Sequence, residues 1–115
     1  MTTEIRSWHE SPIRAVKEFR KTFIQLRYSS RITRAQVLFL CYLVHSGHEK
    51  QFTVTGVLCP GLSWSLARQY LASLKMVGFT VKTGKYWAIT PAGWKYYNMF
   101  MKEFADRMNA PAQWK

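Results

Sequence analysis

Residues 61–79 read GLSWSLARQYLASLKMVGF and continue into TVKTGKYWAI at residues 80–89. Ser63 is a good N-cap, and the apolar residues Ala67, Leu71 and Leu74 then recur along one side. This spacing predicts a helix over residues 63–77 that packs inward on that side. The glycine that follows, and a short apolar segment with a basic tip, predict a β-hairpin over residues 79–89.

The opposite side of this predicted helix carries small and hydrogen-bonding groups, namely Ser65, Gln69, Ala72 and Met76, flanked by Arg68 and Lys75. Ser, Gln and Arg side chains can bond base edges or phosphates, and methyl groups can contact thymine. An ordinary surface helix is the alternative, but it would usually carry acidic residues in i, i+4 ion pairs. A helix of this kind before a basic-tipped hairpin is typical of a winged helix-turn-helix, which predicts DNA binding.

The register of the hairpin can be predicted from its period. A two-residue Thr83-Gly84 turn would split the apolar residues between both faces, whereas a three-residue turn over residues 82–84 puts Phe79, Val81, Trp87 and Ile89 on one face. We therefore expect the three-residue turn, with Gly84 in the left-handed conformation. Lys82 and Lys85 would then contact the minor groove or nearby phosphates.

Helix start and stop signals predict the other elements. Ser11-Pro12 starts a helix over residues 11–27, and a capping box at Thr33 and Gln36 starts a central buried helix over residues 33–46. A short strand over residues 52–54 and a short helix over residues 55–59 follow, and Thr90-Pro91 starts a last helix over residues 91–108. We expect one mainly α domain over residues 11–108, with an N-terminal arm (1–10) and a C-terminal tail (109–115).

The charge of the chain points to a polyanionic partner. Its 115 residues include 17 Lys and Arg against 6 Asp and Glu, a net charge of +11. From Lys50 to Lys102 there are seven basic residues and no acidic one. Basic residues can serve solubility alone, but a field of one sign attracts nucleic acid in particular. The sequence thus favours double-stranded DNA as the partner.

Other classes of function find little support. The longest apolar run, Val37–Val44, is too short to span a membrane, and no secretion signal is recognisable, so a cytoplasmic protein is expected. Cys41 and Cys59 are expected to be reduced, and although they could join His45 and His48 in a zinc site, no CxxC or HxxxH pair anchors one. No nucleotide-binding loop and no paired carboxylates are present. We therefore expect no metal, no cofactor and no enzymatic activity.

The two terminal helices carry large apolar stripes. The residues are Phe19, Phe23 and Leu26 on the first helix and Tyr97, Phe100, Met101, Phe104 and Met108 on the last, with Val16 continuing the first stripe. So much apolar surface on a small domain predicts that these helices form the interface of a homodimer. The alternative is that they pack on each other within one subunit.

The order of elements resembles the MarR-type winged-helix regulators. The segments that carry the resemblance are Leu62-Ser63, Leu74 to Phe79, and Ile89-Thr90-Pro91-Ala92-Gly93, which is similar to the family's L-T-x-x-G step after the wing. The match covers residues 33–97. It implies that Ser65, Leu66, Arg68, Gln69 and Ala72 approach the major groove. The complete set of predicted DNA-binding residues is Ser63, Trp64, Ser65, Leu66, Arg68, Gln69, Ala72, Lys75, Lys82, Thr83 and Lys85.

A dimeric transcription regulator that binds specific DNA sequences is the function predicted from the sequence. Two alternatives stay open: a winged-helix accessory protein for replication or mobile-element transfer, and a winged helix that binds only protein.

Overall fold

The computed structural model describes residues 12–26, 32–48 and 50–109. The helices are α1 (Pro12–Gln25), α2 (Arg34–His45), α3 (Trp64–Met76) and α4 (Pro91–Asn109), and an antiparallel hairpin is formed by β1 (Thr80–Thr83) and β2 (Tyr86–Ile89). The fold is therefore mainly helical with one small hairpin, as predicted. Each helix lies within two residues of its predicted bounds. Ser11, the arm at residues 1–10 and residues 110–115 lie outside the described residues.

Side chains cap the helices where the sequence indicates. The Thr33 hydroxyl accepts a hydrogen bond from the Gln36 backbone at 3.3 Å, while the Gln36 side chain accepts one from the Thr33 backbone at 2.7 Å. The Ser63 hydroxyl accepts from Leu66 N at 3.1 Å. These bonds satisfy backbone donors that a helix start otherwise leaves free, so they fix where α2 and α3 begin.

The core forms where α2 lies against α3 and α4. Leu40 and Leu43 of α2 are fully buried, as are Leu71 and Leu74 of α3 and Phe100 of α4. The predicted burial of α2 is confirmed, although Leu38 on its outer side is 54% exposed. The core thus holds α3 by one side and leaves its other side in solvent.

The terminal helices pack on each other within one chain. The Phe19 ring lies 4.8 Å from the Phe100 ring and 5.6 Å from the Phe104 ring, centroid to centroid. The residues that face the core are Ala15, Phe19, Thr22 and Phe23 of α1 and Leu26 directly after it, whereas Val16 is 68% exposed. The prediction that Val16 continues the apolar stripe is therefore wrong. Ala15 takes that position against the core instead.

This packing removes the argument for a dimer. Phe100, Met101, Phe104 and Met108 are each at most 5% exposed, and Phe19, Phe23, Leu26 and Tyr97 are partly buried against the same core. The helices of one chain therefore bury four of the eight residues and partly cover the other four, so these residues no longer require a second copy. Dimerisation itself stays a prediction, and α1 still exposes Ile13, Val16 and Ile24.

The hairpin has a different register from the predicted one. Thr80 pairs with Ile89 and Thr83 with Tyr86, so the turn consists of Gly84 and Lys85. Gly84 has a φ of +62°, as expected, and a positive φ at the first central residue alone is typical of a type II′ turn with glycine there. In this register Val81 lies on the opposite face from Trp87 and Ile89 and is 45% exposed.

The segment before α3 is less regular than predicted. Phe52 joins the hairpin through a single bridge to Trp87, with backbone hydrogen bonds of 2.9 and 2.7 Å, rather than through a strand over residues 52–54. The helix predicted over residues 55–59 is a 3₁₀ turn at Thr55–Val57 only. Leu58 has extended backbone, and Pro60 cannot donate a helical hydrogen bond, so the helix ends early.

Candidate nucleic-acid interface

One face of α3 is exposed along its whole length. Ser65, Arg68, Gln69, Ala72, Lys75 and Met76 are all exposed, and their i, i+3, i+4, i+7 spacing puts them side by side. Ala67, Leu71 and Leu74 on the opposite side are fully buried. The predicted division of α3 into an inward and an outward side is therefore confirmed.

The first turn of α3 presents an indole and a guanidinium together. Trp64 is 49% exposed, and the Arg68 guanidinium carbon lies 5.3 Å from the centre of its ring. Ser63 is exposed but uses its hydroxyl as the cap. Leu66 is only half-exposed and lies about 100° around the helix from Ser65, so it is at the margin of the exposed face rather than in its centre.

The hairpin adds Lys82, Thr83 and Lys85, which are all exposed. The Lys82 ammonium lies 5.7 Å from the Trp87 ring centre, and the Lys85 ammonium lies 5.5 Å from the Tyr86 ring centre. Lysines over aromatic rings gain a cation–π attraction that limits the space their long side chains explore.

Hydrogen bonds of two threonines fix the hairpin to α3. The buried Thr80 hydroxyl donates to Leu71 O at 2.9 Å, and the Thr90 hydroxyl donates to Gly78 O at 2.6 Å. Since Leu71 lies in α3 and Gly78 lies two residues after its end, both bonds tie the ends of the hairpin to this helix. The hairpin backbone that carries Lys82 and Lys85 therefore keeps a defined position relative to the exposed face of α3.

Gly93 allows α4 to approach the hairpin closely. A Cβ atom at this position would lie 2.4 Å from Phe79 O and 2.9 Å from Ile89 Cγ2. Only glycine fits without displacing this backbone, which explains the glycine in the Ile89-to-Gly93 segment. The Phe79 ring stacks on Tyr96 of α4 at 5.1 Å and closes the same contact.

An open pocket of about 500 Å³ lies between the start of α3, the segment 53–55 and the hairpin. Its walls contain three cations, Arg68, Lys82 and Lys85, and two indoles, Trp64 and Trp87. No sequence pattern indicates that residues 53–55 and Trp87 belong to this surface. The Phe52–Trp87 bridge brings them there, and such a pairing has no local sequence signal.

The cations of this surface have no acidic partners among the residues that the structure describes. Ion pairs in that part of the chain link Glu18 to Lys21 and Arg107, and Glu103 to Arg107, all on α1 and α4. The four cations of α3 and the hairpin, which are Arg68, Lys75, Lys82 and Lys85, therefore present an uncompensated positive field.

The residues considered for zinc have other contacts. His45 Nε2 lies 3.1 Å from the Tyr97 hydroxyl, and His48 Nε2 lies 2.9 Å from Gly56 O. Burial raises the pKa of the Cys41 thiol to about 12, which disfavours the thiolate that a metal needs. Within residues 12–26, 32–48 and 50–109, no three His, Cys, Asp or Glu residues cluster as a metal site would require.

Comparisons with known protein families, with curated proteins and with solved structures find no match to this chain. The resemblance to MarR-type regulators thus stays a prediction. No helix in the described ranges has both the length and the apolar character needed to cross a bilayer.

Proposed function

We propose that this protein binds double-stranded DNA, with the exposed face of α3 in the major groove and the hairpin beside it as the wing of a winged helix. The observation that carries the proposal is the continuity of this surface. Exposed hydrogen-bonding side chains on α3 adjoin four cations that have no acidic partner among the described residues. Thr80 and Thr90 tie the hairpin and the helix that carry them together.

The residues divide by the part of DNA that each can contact. Gln69, near the centre of the exposed face, can form a bidentate pair with adenine, and Arg68 can pair with guanine or with phosphate. Ala72 and Met76 offer methyl groups to thymine. The hairpin lysines and Lys75 suit phosphates, which position a protein on DNA without reading sequence.

A transcription regulator and a DNA-processing accessory protein would both use this surface. A regulator of the MarR type needs two copies, and the packing of α1 on α4 within one chain covers part of the apolar surface that predicted a dimer. Sedimentation at micromolar concentration, together with footprinting, separates the two: a dimer that protects a short inverted repeat is a regulator.

Selection of preferred sequences from random duplexes tests base reading. We expect Gln69→Ala to lose discrimination at one base pair, by a factor that corresponds to about 1–3 kcal/mol, and to retain non-specific binding. Asn98→Ala, an exposed amide on α4, is the matched control and should select the wild-type sequence. An unchanged preference in Gln69→Ala would show that this residue reads no base, and absence of duplex binding by the wild type would leave the protein-binding alternative.

A further inference from the structure

We propose that the pocket between α3, the segment 53–55 and the hairpin binds one unpaired nucleotide at the edge of a duplex, with its base on the Trp64 ring and its phosphate at Lys82 and Lys85. This inference rests on the proposed binding of DNA. It goes further because groove contacts and phosphate contacts along a paired duplex would leave the concave space beside the exposed Trp64 ring unfilled.

The size of the pocket suits a nucleotide. Sites for small molecules in proteins usually measure about 300–1,000 Å³, and this pocket of about 500 Å³ lies within that range. A phosphate on the duplex surface needs cations but no concave space of this size. The pocket therefore has room for a base and its sugar in addition to a phosphate.

The aromatic residues supply a place for the base. Trp64 is 49% exposed at the first position of α3, so one side of its indole can receive a stacked base while Arg68 lies over the ring. Stacking on aromatic rings is the main way in which proteins hold unpaired bases, and it works for every base. A base inside a paired duplex is already stacked on its neighbours and cannot reach this ring.

Trp87 forms a second aromatic wall of the pocket. It is 4% exposed and lines the pocket, and its indole Nε1 has no hydrogen-bond acceptor within the described part of the chain. A buried donor without an acceptor is costly and calls for an explanation. A nucleotide oxygen could accept this hydrogen bond once the side chains that cover Nε1 shift, because the atom is not accessible from the open pocket. The cross-strand partner Lys82 brings its charge to the same ring, at 5.7 Å.

The test compares fluorescence anisotropy binding curves for a blunt duplex and for the same duplex with one unpaired thymidine at its 5′ or its 3′ ends. We expect one overhang to raise affinity at least about five-fold, the lower end of what base stacking contributes. An abasic overhang, which keeps the phosphate and lacks the base, should lose the gain. Trp64→Ala should lose it too, measured as the ratio of that variant's own affinities for the overhang and blunt duplexes.

Tyr86→Ala is the matched control, since Tyr86 is also an exposed aromatic residue near a lysine but does not line the pocket. It should keep the overhang gain. Equal wild-type affinity for blunt and overhang duplexes, or a full gain in Trp64→Ala, overturns the nucleotide pocket and leaves the pocket as a surface for duplex phosphates. Failure of the wild type to bind even the blunt duplex overturns the proposed function instead.

Discussion

The strongest quantitative prediction concerns the salt dependence of DNA binding. Arg68, Lys75, Lys82 and Lys85 are exposed and have no acidic partner in the described ranges. If each neutralises one phosphate, log K falls against log salt with a slope of about −3.6, because each contact contributes about −0.9. Between about 50 and 200 mM salt the wild type then loses about 150-fold in affinity.

Removal of both hairpin lysines should halve that dependence. The Lys82→Ala, Lys85→Ala double variant should have a slope of about −1.8 and lose only about 12-fold over the same range. Fluorescence anisotropy with one labelled duplex at five salt concentrations measures both slopes. The matched control is Lys17→Ala, Lys102→Ala, which removes the same charge from exposed positions on α1 and α4.

Two results would refute the reasoning. Equal slopes for the hairpin variant and the wild type would show that the hairpin does not touch the DNA backbone. An equal reduction in the control variant would show that net charge, rather than this surface, sets the affinity. The control should instead keep the wild-type slope within about 0.3, since neither lysine belongs to the surface.

Three further predictions concern stability. Phe104→Ala should lower the free energy of unfolding by about 3–5 kcal/mol in urea titrations, because the ring is 1% exposed in the core; a loss below about 1 kcal/mol would contradict this packing. Gly93→Ala should destabilise although alanine normally favours helices by about 1 kcal/mol, because its Cβ would meet Phe79 O at 2.4 Å; a raised melting temperature would argue against this contact. Burial raises the pKa of Cys41 from 9.0 to about 12, so the unfolded chain releases this proton first and stability should fall as pH rises above about 9. Urea midpoints at about pH 8 and pH 10 measure that fall, and Cys41→Ala should show less of it.

The helices could be predicted because their signals are local. The Thr33 capping box, the Ser63 cap and the apolar spacing of α3 each involve residues within a few turns of one another. The hairpin register could not be predicted in this way. The three-residue turn was expected because it puts four apolar residues on one face, but the structure has a two-residue turn. Thr80 takes an inward position instead, where its hydroxyl bonds Leu71 O, and Val81 is left outside.

The candidate site could be predicted only in part, because sequence patterns report local structure and not contacts between distant residues. Periodicity identified the outward side of α3, but it cannot say what covers an apolar stripe, so it could not decide between a second copy and the packing of α1 on α4 within one chain. Likewise, the pocket depends on the pairing of Phe52 with Trp87, 35 positions apart in the chain, which leaves no pattern in the sequence.

The hydrogen bonds of Thr80 and Thr90 set the distance between the hairpin and α3 before any ligand arrives. A duplex that engages both must therefore match that distance, by its own groove width or by bending. Sequences that are costly to deform would then bind less well even at base pairs that no side chain touches. Two threonine hydroxyls that bond the protein backbone rather than the DNA would in this way contribute to the choice of sequence, through the shape of the double helix.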